Sequence, residues 1–273
     1  MRKPIYQPLL IYALLIFLAL LVVIPLAAGA LTAFKPQIIW ISSPPTWNFV
    51  PTLENFEFVL IQRQNLLHLR NSLIVSTGSV TMALILGIPA AYALARFRFR
   101  GSKGLLQWLI SLRMIPPIVV GLPFYVLFQT FDLRNNHFGL MLAYLTFLIP
   151  LVIWMMRGYF VEIPSAMEEC AMVEGYTRLQ ALRKVVLPVI APGIVATALL
   201  NFIFAWNEFF LALILGGRET STLPVAAGTY VGRARVEWGN LFAINLIIMV
   251  PVIILTIFLR RQLTKGLALG LVD

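Results

Sequence analysis

Two sets of side chains in this sequence have types and spacings that could do chemistry. Glu168, Glu169 and Glu174 are three of only eleven acidic residues, and they crowd one short stretch with Cys170, the single cysteine. Asn201, Asn207, Glu208 and Asn245, together with Arg113, are scattered through otherwise apolar sequence. A charge midway along an apolar helix costs about 2.5–3.5 kcal/mol on insertion scales, so such groups face a cavity or the interior of a helix bundle. They can line a route for a hydrophilic solute, or hydrogen-bond one helix to the next. Thr197, Asn201 and Glu208 follow one another by four and seven residues, which places them on one helix face. The acidic stretch lacks the companions that bond-breaking chemistry needs. No Ser/His/Asp set accompanies it, His68 and His137 stand alone, and no metal-ligand spacing occurs. A lone cysteine forms no disulfide within the chain. Three carboxylates on a short polar segment suit docking to a protein better than contact with anionic lipid headgroups.

The elements that must position these residues are membrane-spanning. Of 273 residues, 60% are hydrophobic and 12% charged, whereas soluble domains run near half apolar and a quarter charged. A formal charge of +10 could suggest nucleic acid in a soluble protein. Here Lys and Arg are distributed as in the cytoplasmic loops of a membrane protein, with no basic run interleaved with stacking aromatics. Crossing roughly 30 Å of hydrocarbon takes about 20 apolar residues. Six segments meet that length: 9–34, 71–95, 105–131, 138–160, 190–216 and 240–259. The first follows Arg2 and Lys3 and carries a cleavage-like "LAAGA", but its apolar run outlasts a signal-peptide core of roughly 7–15 residues and reads as an uncleaved span.

Alternating spans put Arg2, Lys3, Arg96, Arg98, Arg100, Lys103, Arg157, Arg178, Arg183, Lys184, Arg260, Arg261 and Lys265 on one side. Lys35, Arg63, Arg70, Arg134, Arg218, Arg233 and Arg235 fall on the other. The bias predicts both termini, and segment 167–192, in the cytoplasm. Pro25, Pro89, Pro116, Pro117, Pro123, Pro150 and Pro251 fall in five of the spans and should bend them. Ser79, Ala83, Gly87, Ala91 and Ala95 recur every four residues, a strip on which a neighbouring helix can approach closely. Residues 35–70 and 217–239 form the two sizeable outer segments. Counting 1.5 Å per residue along straight helices, Glu208 lies roughly 27 Å into its span and Arg113 about 12 Å into its own. That count predicts no direct pair between them and assigns Asn207 and Glu208 to an outer gate or solute path.

The acidic stretch itself reads as two short helices joined by a turn. Ser165 and Glu168 have capping-box spacing, Gly175 can take the left-handed conformation that ends a helix, and Thr177 and Gln180 make a second box. Leu179, Leu182 and Val186 then recur at helical spacing.

These residues carry a family resemblance. "EECAMVEGYTRLQALRKVVLPVIAPG" resembles the EAA loop of ATP-binding-cassette importer permeases, whose pattern runs E-A-A-x-x-D-G-A, nine residues, I-x-L-P. Glu169, Ala171, Gly175, Leu187 and Pro188 fall on it; Cys170, Glu174 and Tyr176 depart from it. "RNSLIVSTGSVTMALILGIPAAYALARFRFRG", "RMIPPIVVGLPFYVLF", "FAWNEFFLALIL" and the tail "QLTKGLALGLVD" are similar to six-span carbohydrate permeases of the maltose, glycerol-phosphate and oligosaccharide group. The resemblance implies an all-α integral membrane protein of the type I importer fold. It would comprise an N-terminal span and outer loop at 1–66, a permease core at 67–258 with its EAA loop near 165–188, and a cytoplasmic tail at 259–273. It implies a bacterial or archaeal cytoplasmic membrane, with both termini inside. The implied partners are a second permease, two ATPase subunits that use ATP and Mg, and an extracytoplasmic solute-binding protein. The chain would bind no cofactor, since it lacks G-x-x-x-x-G-K-[ST]. Glu168, Glu169, Ala171, Glu174, Gly175, Tyr176, Leu187 and Pro188 would couple it to the ATPase. Asn201, Asn207, Glu208 and Asn245 would line the solute path. The two other readings are a permease for a non-sugar solute and a stand-alone secondary transporter, which would need ion-coupling carboxylates or an inverted repeat.

Overall fold

A computed structural model describes residues 6–40, 46–97, 99–232 and 236–269. All of the regular structure among them is helical, apart from one isolated bridge between Val231 and Val236. Four helices are long and apolar enough to cross a membrane: α1 (Tyr6–Ala33), α2 (Asn65–Arg96), α5 (His137–Glu162) and α11 (Trp238–Leu269). Two further spans are bent pairs. In the first, α3 (Ser102–Leu112) and α4 (Pro117–Thr130) meet at 91°; in the second, α7 (Arg178–Val189) and α8 (Ala191–Trp206) meet at 77°. Short helices α6 (Ala166–Val173), α9 (Phe210–Leu215) and α10 (Leu223–Gly228) fill the connections. The chain is thus an all-α membrane protein with four clear spans, or six when each bent pair counts as one.

The spans expected at 105–131 and 190–216 are each broken rather than continuous. The first breaks at 113–116 because Pro116 and Pro117 remove donors and bar the preceding residue from helix. The second enters through a bend at Ile190, between Pro188 and Pro192, and stops again at Trp206 before restarting as α9.

The chain divides into two compact units. The smaller comprises residues 1–66 and 226–249. In it, Asn55 Nδ2 donates to the carbonyls of Ala33 and Lys35, both at 2.8 Å, and so ties off the end of α1. Asn65 Nδ2 donates to the Val59 carbonyl and to Tyr230 Oη, again at 2.8 Å. Burial pushes the Tyr230 phenol above its ordinary range. Along α1, every large apolar side chain from Leu10 to Leu26 is at least 50% exposed. A helix apolar on all sides with nothing packed on it belongs in lipid or against another protein.

The larger unit, 67–225 and 250–273, holds α3 to α9 and nearly all of α2, while α11 is shared between the units. Its centre is α5, which packs against α3, α8 and α9 and buries Leu148, Val152, Met156 and Phe160 completely. The small-residue strip of α2 lies against α5. Ser79, Ala83, Gly87 and Ala91 are buried, and a Cβ on Gly87 would sit 2.6 Å from Val152 Cγ1. At the opposite end of α2 from Arg96, Asn71 Nδ2 donates to the carbonyls of Glu219 (2.8 Å) and Ser221 (3.0 Å). Its Oδ1 lies 2.9 Å from His137 Nε2. These bonds pin the 216–222 loop to the ends of α2 and α5.

Candidate functional site

The acidic stretch begins where α5 ends. Helix α6 starts at Ala166, but the expected Ser165 capping box does not form: Ser165 is itself helical and its hydroxyl caps nothing. The Glu168 side chain that would complete the box is turned inward instead. Tyr92 Oη donates to its Oε2 and Arg96 Nε to its Oε1, each at 2.6 Å. Arg96 Nη2 also donates to the Ile163 carbonyl at 2.9 Å, closing the C-terminus of α5. The ion pair is buried, with Arg96 and Glu168 side chains 10% and 5% exposed. Tyr92 is held in turn by an edge-to-face contact with Phe160 at 5.4 Å. One carboxylate thus joins the ends of α2, α5 and α6 in a single clamp.

The opposite face of α6 is free. Glu169, Cys170, Val173 and Glu174 are exposed, Val173 by 89%, while Ala171 is buried beneath them. Gly175 has φ +93° with open space around it, so the backbone conformation, rather than crowding, requires glycine there. The Thr177–Gln180 capping box forms in both directions, at 3.3 and 2.8 Å. Tyr176 is half-buried, and its ring carries the Lys184 ammonium at 5.1 Å. Along α7, Leu182 and Val186 face inward as their spacing suggests, but Leu179 is 56% exposed and extends the outer face of the elbow. Leu187 is half-buried and Pro188 exposed.

The second region lies between the broken spans. A cavity of about 500 Å³ is lined by Trp108, Leu112, Arg113 and Phe124 from the bent first pair, Thr146 and Phe147 from α5, and Phe204, Glu208 and Leu211 around the second break. Arg113 and Glu208 make no direct pair, as the count along the helices predicts, but they come to one cavity. Helix α3 stops at Leu112 and turns through 91°, so distance along the chain no longer measures depth. Both residues border the same cavity, without forming an ion pair. The Arg113 guanidinium lies 4.9 Å over the Phe204 ring.

Asn207 and Glu208 finish the two ends of the break. Asn207 Nδ2 donates to the Ile203 carbonyl at 2.8 Å, and its side chain is exposed. The Glu208 carboxylate accepts the Leu211 N–H at 3.0 Å and the Ala212 N–H at 3.1 Å, taking up orphan donors at the start of α9. Asn201 is fully buried and borders no part of the cavity. Its Nδ2 donates to the Thr197 carbonyl at 2.8 Å and its Oδ1 has no partner. Asn245 belongs to the other unit, where its Nδ2 donates to the Leu241 carbonyl at 2.7 Å.

Residues 83–268 match the family described as binding-protein-dependent transport system inner membrane components. The chain belongs to that family. This permease is 34% identical, over 88% of each chain, to the diacetylchitobiose uptake system permease protein of Streptomyces coelicolor. It is 36% identical to the trehalose transport system permease protein of Mycobacterium tuberculosis, over 74% of this chain and 75% of that one. Its fold matches a chain of a bacterial ABC transporter that imports the acidic polysaccharide alginate. The TM-score is 0.75 with 22% identity, covering 94% of this chain and 96% of that one.

Sequence reasoning missed Tyr92 and Arg96. The two are a pair one helical turn apart, but in the sequence Arg96 serves only as a marker of membrane side. Trp108 and Phe204 left no signal, since aromatic residues in spans look alike until their neighbours are known.

Proposed function

We propose that this permease forms half of the translocation path of an ATP-driven sugar importer, and that its α6 elbow seats in a separate ATPase subunit in the cytoplasm. The observation that carries this reading is the two-sidedness of α6. One face is clamped through Glu168 to the ends of α2 and α5, and the other offers Glu169, Glu174 and Val173 outward. A capped, anchored helix transmits a push to the spans; a loose loop absorbs it. In this reading Glu169, Ala171, Glu174, Gly175, Tyr176, Leu187 and Pro188 shape the docking face, and Glu168 is its anchor. Both termini lie on the ATPase side. A second permease completes the path, a solute-binding protein delivers cargo from outside, and ATP with Mg is used by the ATPase alone.

The sugar assignment is supported by the relatives named for diacetylchitobiose and trehalose. Asn207 and Glu208, at the break in the second bent span, belong to the solute path in this reading; Asn201 and Asn245 serve it indirectly by hydrogen bonding within their own helices. The test is uptake in cells carrying Glu169→Lys together with Gly175→Pro. Uptake should vanish while the permease still accumulates in the membrane. Normal uptake in that variant rejects the coupling role. Cross-linking through the native, exposed Cys170 should trap a nucleotide-hydrolysing chain.

A further inference from the structure

We infer that the cavity between the broken spans is a binding site on this chain for a neutral sugar of one or two rings, with Phe204 and Trp108 as ring platforms and Arg113 and Glu208 as hydroxyl partners. The inference rests on the sugar-importer reading and adds to it which permease holds the cargo and by which groups.

The first argument is the separation of the charges. Arg113 and Glu208 border one cavity in a membrane-spanning region, where each is costly. Helix packing alone would favour bringing them together, yet they form no ion pair. Glu208 accepts the Leu211 and Ala212 N–H groups at 3.0 and 3.1 Å, with the Tyr144 phenol also beside it, which anchors the carboxylate at the edge of the cavity. The Arg113 guanidinium lies 4.9 Å from the Phe204 ring centroid, a contact that does not consume its N–H donors. A cavity bordered by both a carboxylate and a guanidinium suits a ligand that offers both O–H groups and oxygen lone pairs.

The second argument is the lining. About 500 Å³ falls within the range of roughly 300–1,000 Å³ typical of small-molecule sites, and mostly apolar walls with a few convergent polar groups are the usual form. Trp108, Phe147 and Phe204 present ring surface, Thr146 a hydroxyl. A pyranose has one apolar C–H face, which packs on the negative face of an aromatic ring, and a rim of hydroxyls for the charged pair. An acyl chain would leave both charges desolvated and unpaired. An anion would meet Glu208, and a cation Arg113. Trp108 and Phe204 are 57% and 43% exposed, so this chain supplies one wall and the second permease the other.

The experiment uses the transporter reconstituted with its partners in nanodiscs, with trehalose and diacetylchitobiose as neutral probes and an alginate oligomer as the acidic one. Phe204→Ala and Arg113→Leu should each weaken neutral-probe binding by about tenfold, while stimulation of ATP hydrolysis by the loaded solute-binding protein persists. Phe204→Tyr and Arg113→Lys should recover most of the loss. In a Cys170→Ser background, whose uptake is the reference, Thr146→Cys should be shielded from thiol reagents by trehalose or diacetylchitobiose; this readout stands even where a truncation fails to accumulate. Unchanged binding in both truncations with no shielding, while stimulation persists, overturns the site and leaves the importer reading intact. Tighter binding of the alginate oligomer than of either neutral sugar overturns the neutral-sugar assignment. Absence of stimulation in the wild-type assembly overturns the importer reading and the site with it.

Discussion

The elbow and the cavity use the same side chains for opposite ends. At the elbow, Glu168, Arg96 and Tyr92 are drawn together at 2.6 Å, buried, and backed by Phe160. At the cavity, Glu208, Arg113 and Phe204 are again a carboxylate, a guanidinium and an aromatic ring, but the two charges stay apart. Buried polar groups with every partner in place make a rigid joint. At the cavity the carboxylate is met by the α9 N–H groups and the guanidinium by the Phe204 ring. The contrast teaches that the same pair of residue types closes a joint where the helices bring them into contact and borders a cavity where they do not.

The comparison breaks most readily at the clamp. Arg96→Met leaves the Glu168 carboxylate buried without its cation and should destabilise the permease by about 3–5 kcal/mol. Thermal inactivation in detergent measures the loss, and Arg96→Met with Glu168→Leu should recover most of it. If the single variant is as stable as the wild type, the clamp is not the joint described here. At the cavity, Glu208→Ala exposes the Leu211 and Ala212 N–H groups to an apolar surround and should cost about 1–3 kcal/mol, with Glu208→Gln costing less because an amide oxygen still accepts. Equal losses for Ala and Gln would mean the carboxylate does more than cap.

Between the two regions, α2 and α5 must stay in register. Gly87→Val would press on Val152 and should cost about 1–3 kcal/mol, relieved by Val152→Ala. Failure of that relief would place the strain elsewhere. The smallest effect is expected at the elbow's tip. Gly175→Ala forces a side chain into the left-handed region and should cost about 1 kcal/mol. It should therefore reduce uptake more than stability, which parallel transport and melting measurements can separate.

Much of the frame was legible in residue order alone. The apolar excess demanded a membrane, the long apolar runs marked the spans, Thr177 and Gln180 announced their capping box, and Gly175 its left-handed turn. Each of these depends on composition or on residues a few positions apart, which local backbone geometry converts directly into structure. The Pro116–Pro117 pair announced a bend but not its 91°.

What the order of residues left open was decided by which helices meet. Adjacent Glu168 and Glu169 look equivalent in the chain, yet one is locked to Arg96 and the other faces outward, because only one side of α6 lies against the end of α2. Arg113 and Glu208 border the same cavity because two spans break, a fact invisible to a count along straight helices. The reason is physical: spans that are apolar on most of their surface carry little periodic signal of which side turns inward, so the partner of each polar group exists only once the bundle has packed.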